Sequence, residues 1–302
     1  MHASSDIALC IAYFISIMFY LRLLSAFLLK GAGYESDLLA TVVTSAILLF
    51  TGVYGKVRGF NFLESIEVYA VGIKLAVIVG LIVALLIYNI DVTHFEYGYV
   101  SNLKIDIDII KKTAGMFLVV QGFETSRYLG HKYDRETRIK TMRFAQIFTS
   151  IIYLSFIYLS AFLMSDDVNV SETEIINITA KISAILPYVV IIGAIASQYS
   201  SSIADMIGCG SIIHDMSISR ISLNNAYLII AVFGLILIWF ADIFELVAYA
   251  SRAFALYYFL QCLLSLFVSE FIEGPKRHLF HGFVALVGSI MLFIFMFGEP
   301  IH

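Results

Sequence analysis

The sequence predicts an all-α, polytopic helical membrane protein of about nine transmembrane helices, and three observations carry that reading. Sixty per cent of the 302 residues are hydrophobic, and the mean hydropathy is +0.91, both well above the range of soluble domains. Apolar runs of about 20 residues recur along the chain, long enough to cross a hydrocarbon layer of about 30 Å. The connections between runs alternate between basic and acidic, the pattern produced when Lys and Arg are held on the cytoplasmic side. The net charge of -4 matters less than this distribution. The implied surroundings are a lipid bilayer, and nothing points to a nucleic-acid partner.

Residues 1–6 lack the basic stretch of a cleavable signal, so the first span, residues 7–29, reads as its own insertion signal. A short joint containing Gly31, Gly33, Glu35 and Ser36 leads to a second span, 38–54, which must lie antiparallel to the first. Lys56 and Arg58 place the next connection inside, and a third span, 66–88, runs outward. Asp91, Glu96, Asp106 and Asp108 mark an external loop. An interrupted apolar segment beginning at Lys112 runs inward to a connection crowded with Arg127, Lys132, Arg135, Arg138, Lys140 and Arg143, the strongest cytoplasmic signal in the chain. Span 144–164 returns outward to Asp166, Asp167, Glu172 and Glu174. Span 188–210 runs inward, extended at both ends, with Pro187 expected to bend its outer part. Spans 226–240, 243–268 and 280–297 complete the set, with Lys276, Arg277 and His278 inside. The amino end is therefore expected in the cytoplasm and the carboxyl end outside, in a cell (inner) membrane.

The most informative stretch is the interrupted one, residues 112–130. It begins as an apolar helix, yet about halfway across the bilayer it places Gln121, Gly122, Glu124 and Thr125. A carboxylate is expensive at that depth and persists where it faces a cavity or a partner. Gly122 lets the backbone leave the helical path, as discontinuous transporter helices do at a midplane binding site.

The run Phe117-Leu-Val-Val-Gln-Gly-Phe-Glu124 resembles the Gly-Phe-Glu signature in the sixth helix of bacterial amino-acid permeases, members of the amino acid, polyamine and organocation (APC) transporter superfamily. The following Tyr133-Asp-Arg-Glu-Thr-Arg138 is similar to their next basic loop, and Ala196-Ser-Gln-Tyr-Ser-Ser-Ser-Ile-Ala-Asp205 resembles their eighth helix. Ala250-Ser-Arg-Ala-Phe-Ala-Leu-Tyr257 resembles their tenth. The resemblance implies two inverted five-helix repeats with substrate and ion at their interface. It also implies that the first span corresponds to the family's third, so that the chain looks like a permease lacking its first two helices. On that alignment residues 7–88 are the remnant of the first repeat, 112–268 form the second, and 280–297 are an extra helix of one transmembrane domain.

The implied function is secondary transport of amino acids or related amines by alternating access, with a proton favoured over sodium as coupling ion and no cofactor. The alternative is a truncated, non-transporting remnant, or a membrane interaction protein whose partner supplies the missing helices. Candidate substrate contacts are Phe117, Gln121, Gly122, Phe123, Glu124, Thr125 and Arg252. The competing reading for Glu124 is a packing bond to a neighbouring helix, and for Phe117 and Phe123 aromatic core packing. Arg252 either clamps a substrate carboxylate or forms a structural ion pair with Glu124 or Glu245.

Lys74 sits roughly 12 Å from the inner surface, where desolvation works against the ammonium and favours proton exchange. Some permeases resemble this pattern, with a lysine in the place that sodium takes in sodium-coupled relatives. The other reading is a lysine snorkelling to the inner headgroups. Ser200, Ser201 and Ser202 lie at comparable depth and offer hydroxyls to an ion, or serve close helix contact. Asp205 pairs with Lys74 or reaches the cytoplasmic interface. Arg22 is read as structural, near the external headgroups. Cys10, Cys209 and Cys262 have no metal-type spacing and read as buried free thiols. The sequence holds no HExxH, no GxSxG turn and no Cys and His cluster, so an enzyme is not expected.

Overall fold

A computed structural model describes residues 2–95, 106–122, 124–125, 133–163, 171–268 and 276–300, without the side chains at 2, 60–67, 268 and 276–277. Phe123, Arg127, Lys132, Asp166 and Asp167 lie outside the described residues. The described chain is helical: α1 (His2–Gly31), α2 (Asp37–Arg58), α3 (Phe60–Tyr88), α4 (Ile107–Gly115), α5 (Arg135–Ala161), α6 (Glu174–Ala180), α7 (Leu186–Met216), α8 (Leu223–Phe240), α9 (Ile243–Val268) and α10 (Lys276–Phe297). Eight of these are long and apolar enough to cross a membrane: all but α4 and α6. The ninth expected crossing is the interrupted segment, α4 followed by a 3-10 turn at Phe117–Val120.

Polar residues set the ends. Ser36 accepts from the Leu39 N–H at the start of α2, Asp106 from Ile109 at α4, and Ser222 from Asn225 at α8. Such caps satisfy donors that a helix leaves unpaired in its first turn. Asp134 accepts from Thr137 and Glu136 at the start of α5, and these bonds hold its carboxyl below the usual carboxylate range. Between α8 and α9, Asp242 and Glu245 bond reciprocally, Glu245 N–H to Asp242 Oδ1 at 2.8 Å and Asp242 N–H to Glu245 Oε2 at 3.1 Å, so two helices abut with almost no loop. Pro187 falls in the first turn of α7, where its missing N–H costs nothing. It starts the helix, contrary to the expected bend.

The core is organised around α1. It packs most extensively on α7 and α9, while α3 lies along α7, α2 on α8 and α10 on α9. Leu9, Ala12, Tyr13, Ile17, Met18 and Leu21 of α1 meet Ile203, Met206 and Cys209 of α7 and Phe254, Tyr257 and Tyr258 of α9. Gly208 makes the α1–α7 approach possible: a Cβ there would sit 2.7 Å from the Tyr13 ring. Small residues at such crossings are how membrane helices gain packing when lipid offers no hydrophobic drive. The spanning windows of α3 and α5 are only 11% buried within the chain, so most of their apolar surface faces outward. Arg22 donates to the Asp37 carbonyl and to Thr41 and so ties α1 to α2, as the structural reading expects.

The segment after α10 clasps the interrupted helix. Lys111 Nζ lies 2.9 Å from Glu299 Oε1, and the Glu299 N–H donates to the Lys111 carbonyl at 3.1 Å. Gly115 allows this contact, because a Cβ on it would stand 1.9 Å from the Glu299 carbonyl oxygen. A backbone atom cannot swing aside as a side chain can. Gly115→Ala is therefore expected to cost about 1–3 kcal/mol through overpacking, measured as a lowered midpoint of unfolding in detergent. An unchanged midpoint would show that the clasp carries no stability.

Candidate functional site at the interrupted helix

The 3-10 turn at Phe117–Val120 tightens the chain after α4, and the helix stops at Gln121 and Gly122. Gly122 has φ +124°, a conformation open to glycine and strained for any residue with a side chain. A break at membrane depth exposes backbone groups that lipid cannot satisfy. Here side chains of neighbouring helices and of the segment itself take them up. The Leu118 N–H donates to Ser251 Oγ of α9 at 2.8 Å. Tyr153 of α5 donates its hydroxyl to the Val119 carbonyl at 3.0 Å. The Thr125 hydroxyl donates to the Gly122 carbonyl at 2.7 Å, and the Gly122 N–H donates to Glu124 Oε2 at 3.2 Å.

Glu124 carries the carboxyl at the centre of this arrangement, and it is 6% exposed. Tyr258 of α9 donates its hydroxyl to Glu124 Oε2. Tyr13 of α1 turns toward the same carboxyl. Gln121 donates its amide to the Tyr20 hydroxyl of α1 at 3.1 Å, which leaves Gln121 Oε1 buried and without a hydrogen-bond partner. Glu124 Oε1 is likewise a buried acceptor with no close hydrogen bond. A groove of about 390 Å³ runs between the break and α5, lined by Gln121, Gly122, Gln146, Thr149 and Tyr153 among others. The site is thus rich in unfilled acceptors, a chemistry suited to a ligand that donates.

Gln121, Gly122, Glu124 and Thr125 share one small volume; Thr125 braces the break through its own hydroxyl. Phe117 packs edge-on to Tyr258, ring centroids 5.9 Å apart and planes at 86°, in agreement with the packing alternative. Phe123 lies outside the described residues. Arg252 does not join the group: its Nε donates to the Phe295 carbonyl of α10 at 2.8 Å. Consecutive helical residues point about 100° apart, so α9 aims Ser251 at the break and Arg252 at α10.

On α7, Ser200 and Ser202 are buried, and Ser202 donates to the Tyr199 carbonyl of its own helix at 2.8 Å. Ser201 is partly buried. Asp205 is 4% exposed and accepts a hydrogen bond from Ser16 of α1. Lys74 is partly buried on α3, the helix packed along α7. Cys10 and Cys209 meet across α1 and α7 with sulfurs 3.6 Å apart.

Sequence reasoning missed Tyr13, Ser16 and Tyr20 on α1, and Ser251 and Tyr258 on α9. The signal for the first three was present: a polar stripe at i, i+3 and i+7 within an apolar helix marks one face. Tyr258→Phe removes the donor to Glu124 Oε2, and Ser251→Ala strands the Leu118 N–H. Each is expected to destabilise the fold by about 1–3 kcal/mol, the cost of a buried polar group left unpaired. Chemical denaturation in mixed micelles checks both; equality with the parent chain would mean that water fills the vacated positions.

The family model that matches this chain describes an APC superfamily transporter and covers residues 1–298. An uncharacterized protein of Aquifex aeolicus (strain VF5) is 39% identical over 301 residues, spanning 99% of this chain and 72% of that protein. The family match runs from α1 through α10, and the chain belongs to the APC superfamily of transporters.

Proposed function

We propose that the protein carries amino acids or related amines across the membrane by alternating access, with a proton favoured over sodium as coupling ion. The observation that carries this reading is the pair of buried acceptors at the break, Gln121 Oε1 and Glu124 Oε1. An ammonium group is a donor only, and a carboxylate and an amide oxygen in a dry site are its natural partners. Gly122 gives a substrate access to backbone that a continuous helix would hide, and the adjoining groove is of a size that small ligands fill.

Proton coupling is supported by the partly buried Lys74 and by the buried Asp205. Ser200, Ser201 and Ser202 are the hydroxyls that sodium coupling would use in their place. The inverted-repeat division at 7–88 and 112–268, the extra helix 280–297, the inner-membrane location and the cytoplasmic amino terminus belong to the same proposal. They are supported by the family and by the charge pattern of the loops.

The test is uptake of labelled amino acids and amines into proteoliposomes holding the 302-residue chain, under imposed proton or sodium gradients. Glu124→Gln is expected to abolish gradient-driven uptake while insertion and helicity remain. Unchanged uptake in that variant would sink the role of Glu124. Lys74→Ala is expected to remove dependence on a pH gradient while leaving exchange of internal for external substrate. A pH-gradient response that survives this change clears Lys74 and leaves the coupling to other groups.

A further inference from the structure

We propose that Cys10 of α1 and Cys209 of α7 form an oxidation site, at which a peroxide converts the two facing thiols into a disulfide that staples the helices together. The inference concerns the chain's own chemistry and does not rest on the transport reading.

The two cysteines are 199 positions apart in sequence, yet their sulfurs stand 3.6 Å apart. The Cys209 sulfur also lies 3.6 Å from the Cys10 carbonyl, so it reaches the main chain of the facing helix as well as its side chain. The neighbouring contacts run in antiparallel register. Cys10 meets Cys209, the Tyr13 ring lies 2.7 Å from where a Cβ on Gly208 would stand, and Ser16 donates to Asp205. Rising numbers on α1 thus meet falling numbers on α7, and the sulfur contact is one rung of a seam held at several points. Gly208 and Gly210 flank Cys209, and each is pressed by a tyrosine ring, Tyr13 of α1 on one side and Tyr227 of α8 on the other. This packing leaves the Cys209 backbone little freedom to withdraw from α1. A disulfide needs its sulfurs about 2.0 Å apart, a closure within the reach of rotation about the two Cα–Cβ bonds.

The thiols differ in exposure. Cys209 is 0% exposed, whereas Cys10 is only partly buried, so an oxidant meets Cys10 first. Hydrogen peroxide is small and uncharged, and apolar surroundings do not exclude it. In the first step Cys10 gives up its proton, its sulfur attacks one peroxide oxygen, and the O–O bond breaks. The departing hydroxide takes that proton as water, and Cys10 becomes a sulfenic acid. The Cys209 sulfur then attacks the Cys10 sulfur, forming the S–S bond and breaking the S–O bond. Hydroxide leaves with the Cys209 proton as a second water. Two electrons have passed from two thiols to one peroxide, and no further reactant is needed. Because the resolving thiol already touches Cys10, the sulfenic acid is consumed before a second peroxide can oxidise it further.

The bond would close a long stretch of chain, which restricts the unfolded ensemble and favours the folded state. It would also fix the register of the seam that carries the Ser16 bond to Asp205. Cys262 of α9 lies against Gly288 of α10 and serves as the internal control.

The full chain in lipid nanodiscs is treated with hydrogen peroxide, denatured, alkylated and mapped by mass spectrometry. The alkylated thiols are expected to fall from the three cysteines of the sequence to Cys262 alone. The peptides holding Cys10 and Cys209 are expected to be joined, and a reductant to part them. In Cys209→Ala the sulfenic acid at Cys10 is expected to persist and to be trapped by a cyclic 1,3-diketone. The thermal midpoint of the oxidised parent is expected to rise above that of the reduced parent, a difference lost in Cys10→Ala. The proposal is overturned if all three thiols remain alkylated, or if the bond formed joins any other pair, Cys262 of two chains included. Trapping of Cys262 and not Cys10 in Cys209→Ala overturns the order of the steps. Should either variant fail to fold, the peptide map of the parent chain decides alone.

Discussion

Everything in this structure depends on how the interrupted helix disposes of its freed backbone groups. In water a broken helix costs little, since solvent takes up the unpaired amides and carbonyls; in hydrocarbon each orphan costs several kcal/mol. The chain meets that demand with side chains drawn from three directions: Ser251 from α9, Tyr153 from α5, and Thr125 and Glu124 from the segment itself. This demand fixes where α9 and α5 stand relative to the break. It also explains why hydroxyl residues occur in helices that are otherwise apolar.

The second constraint is close packing around α1. The helix is the hub because it alone touches α7, α9, α2 and α8 among the spanning helices described. Gly208 lets α7 settle against Tyr13, which in turn brings that phenol to Glu124. A glycine chosen for packing thus sets the geometry of the polar centre. The same interface brings Cys10 and Cys209 within 3.6 Å, although 199 positions separate them in the chain.

The spans were legible because bilayer thickness imposes a length on any crossing helix, and eight of the nine expected crossings are helices long and apolar enough to make one. Not every boundary followed: α3 begins at Phe60, ahead of the expected residue 66, and α7, with Pro187 in its first turn, runs on to Met216 past residue 210. The largest difference is α5, which the Asp134 cap starts at Arg135 and not at 144, so that Arg135, Arg138, Lys140 and Arg143 stand in its first turns and not in a connection. The break was legible too, since Gln121, Gly122 and Glu124 interrupt an apolar run. Arg252 misled because depth alone was used; its direction around α9 is set by the register that aims Ser251 at Leu118. Tyr13, Ser16, Tyr20 and Tyr258 were hidden for the opposite reason. Tyrosine and serine are common in membrane helices, and only the fold shows which of them converge.

The scant internal burial of α5 has a mechanical consequence. Its spanning window is 11% buried, against 50% for α1, so displacing it breaks few protein contacts and exchanges one lipid-covered surface for another. Yet through Tyr153 it holds the Val119 carbonyl beside the break. A helix with so little internal burial is thus also one that holds a carbonyl of the break, so its placement bears on the backbone beside Glu124 through a single hydrogen bond, whereas α1 and α7 meet over a far larger shared surface.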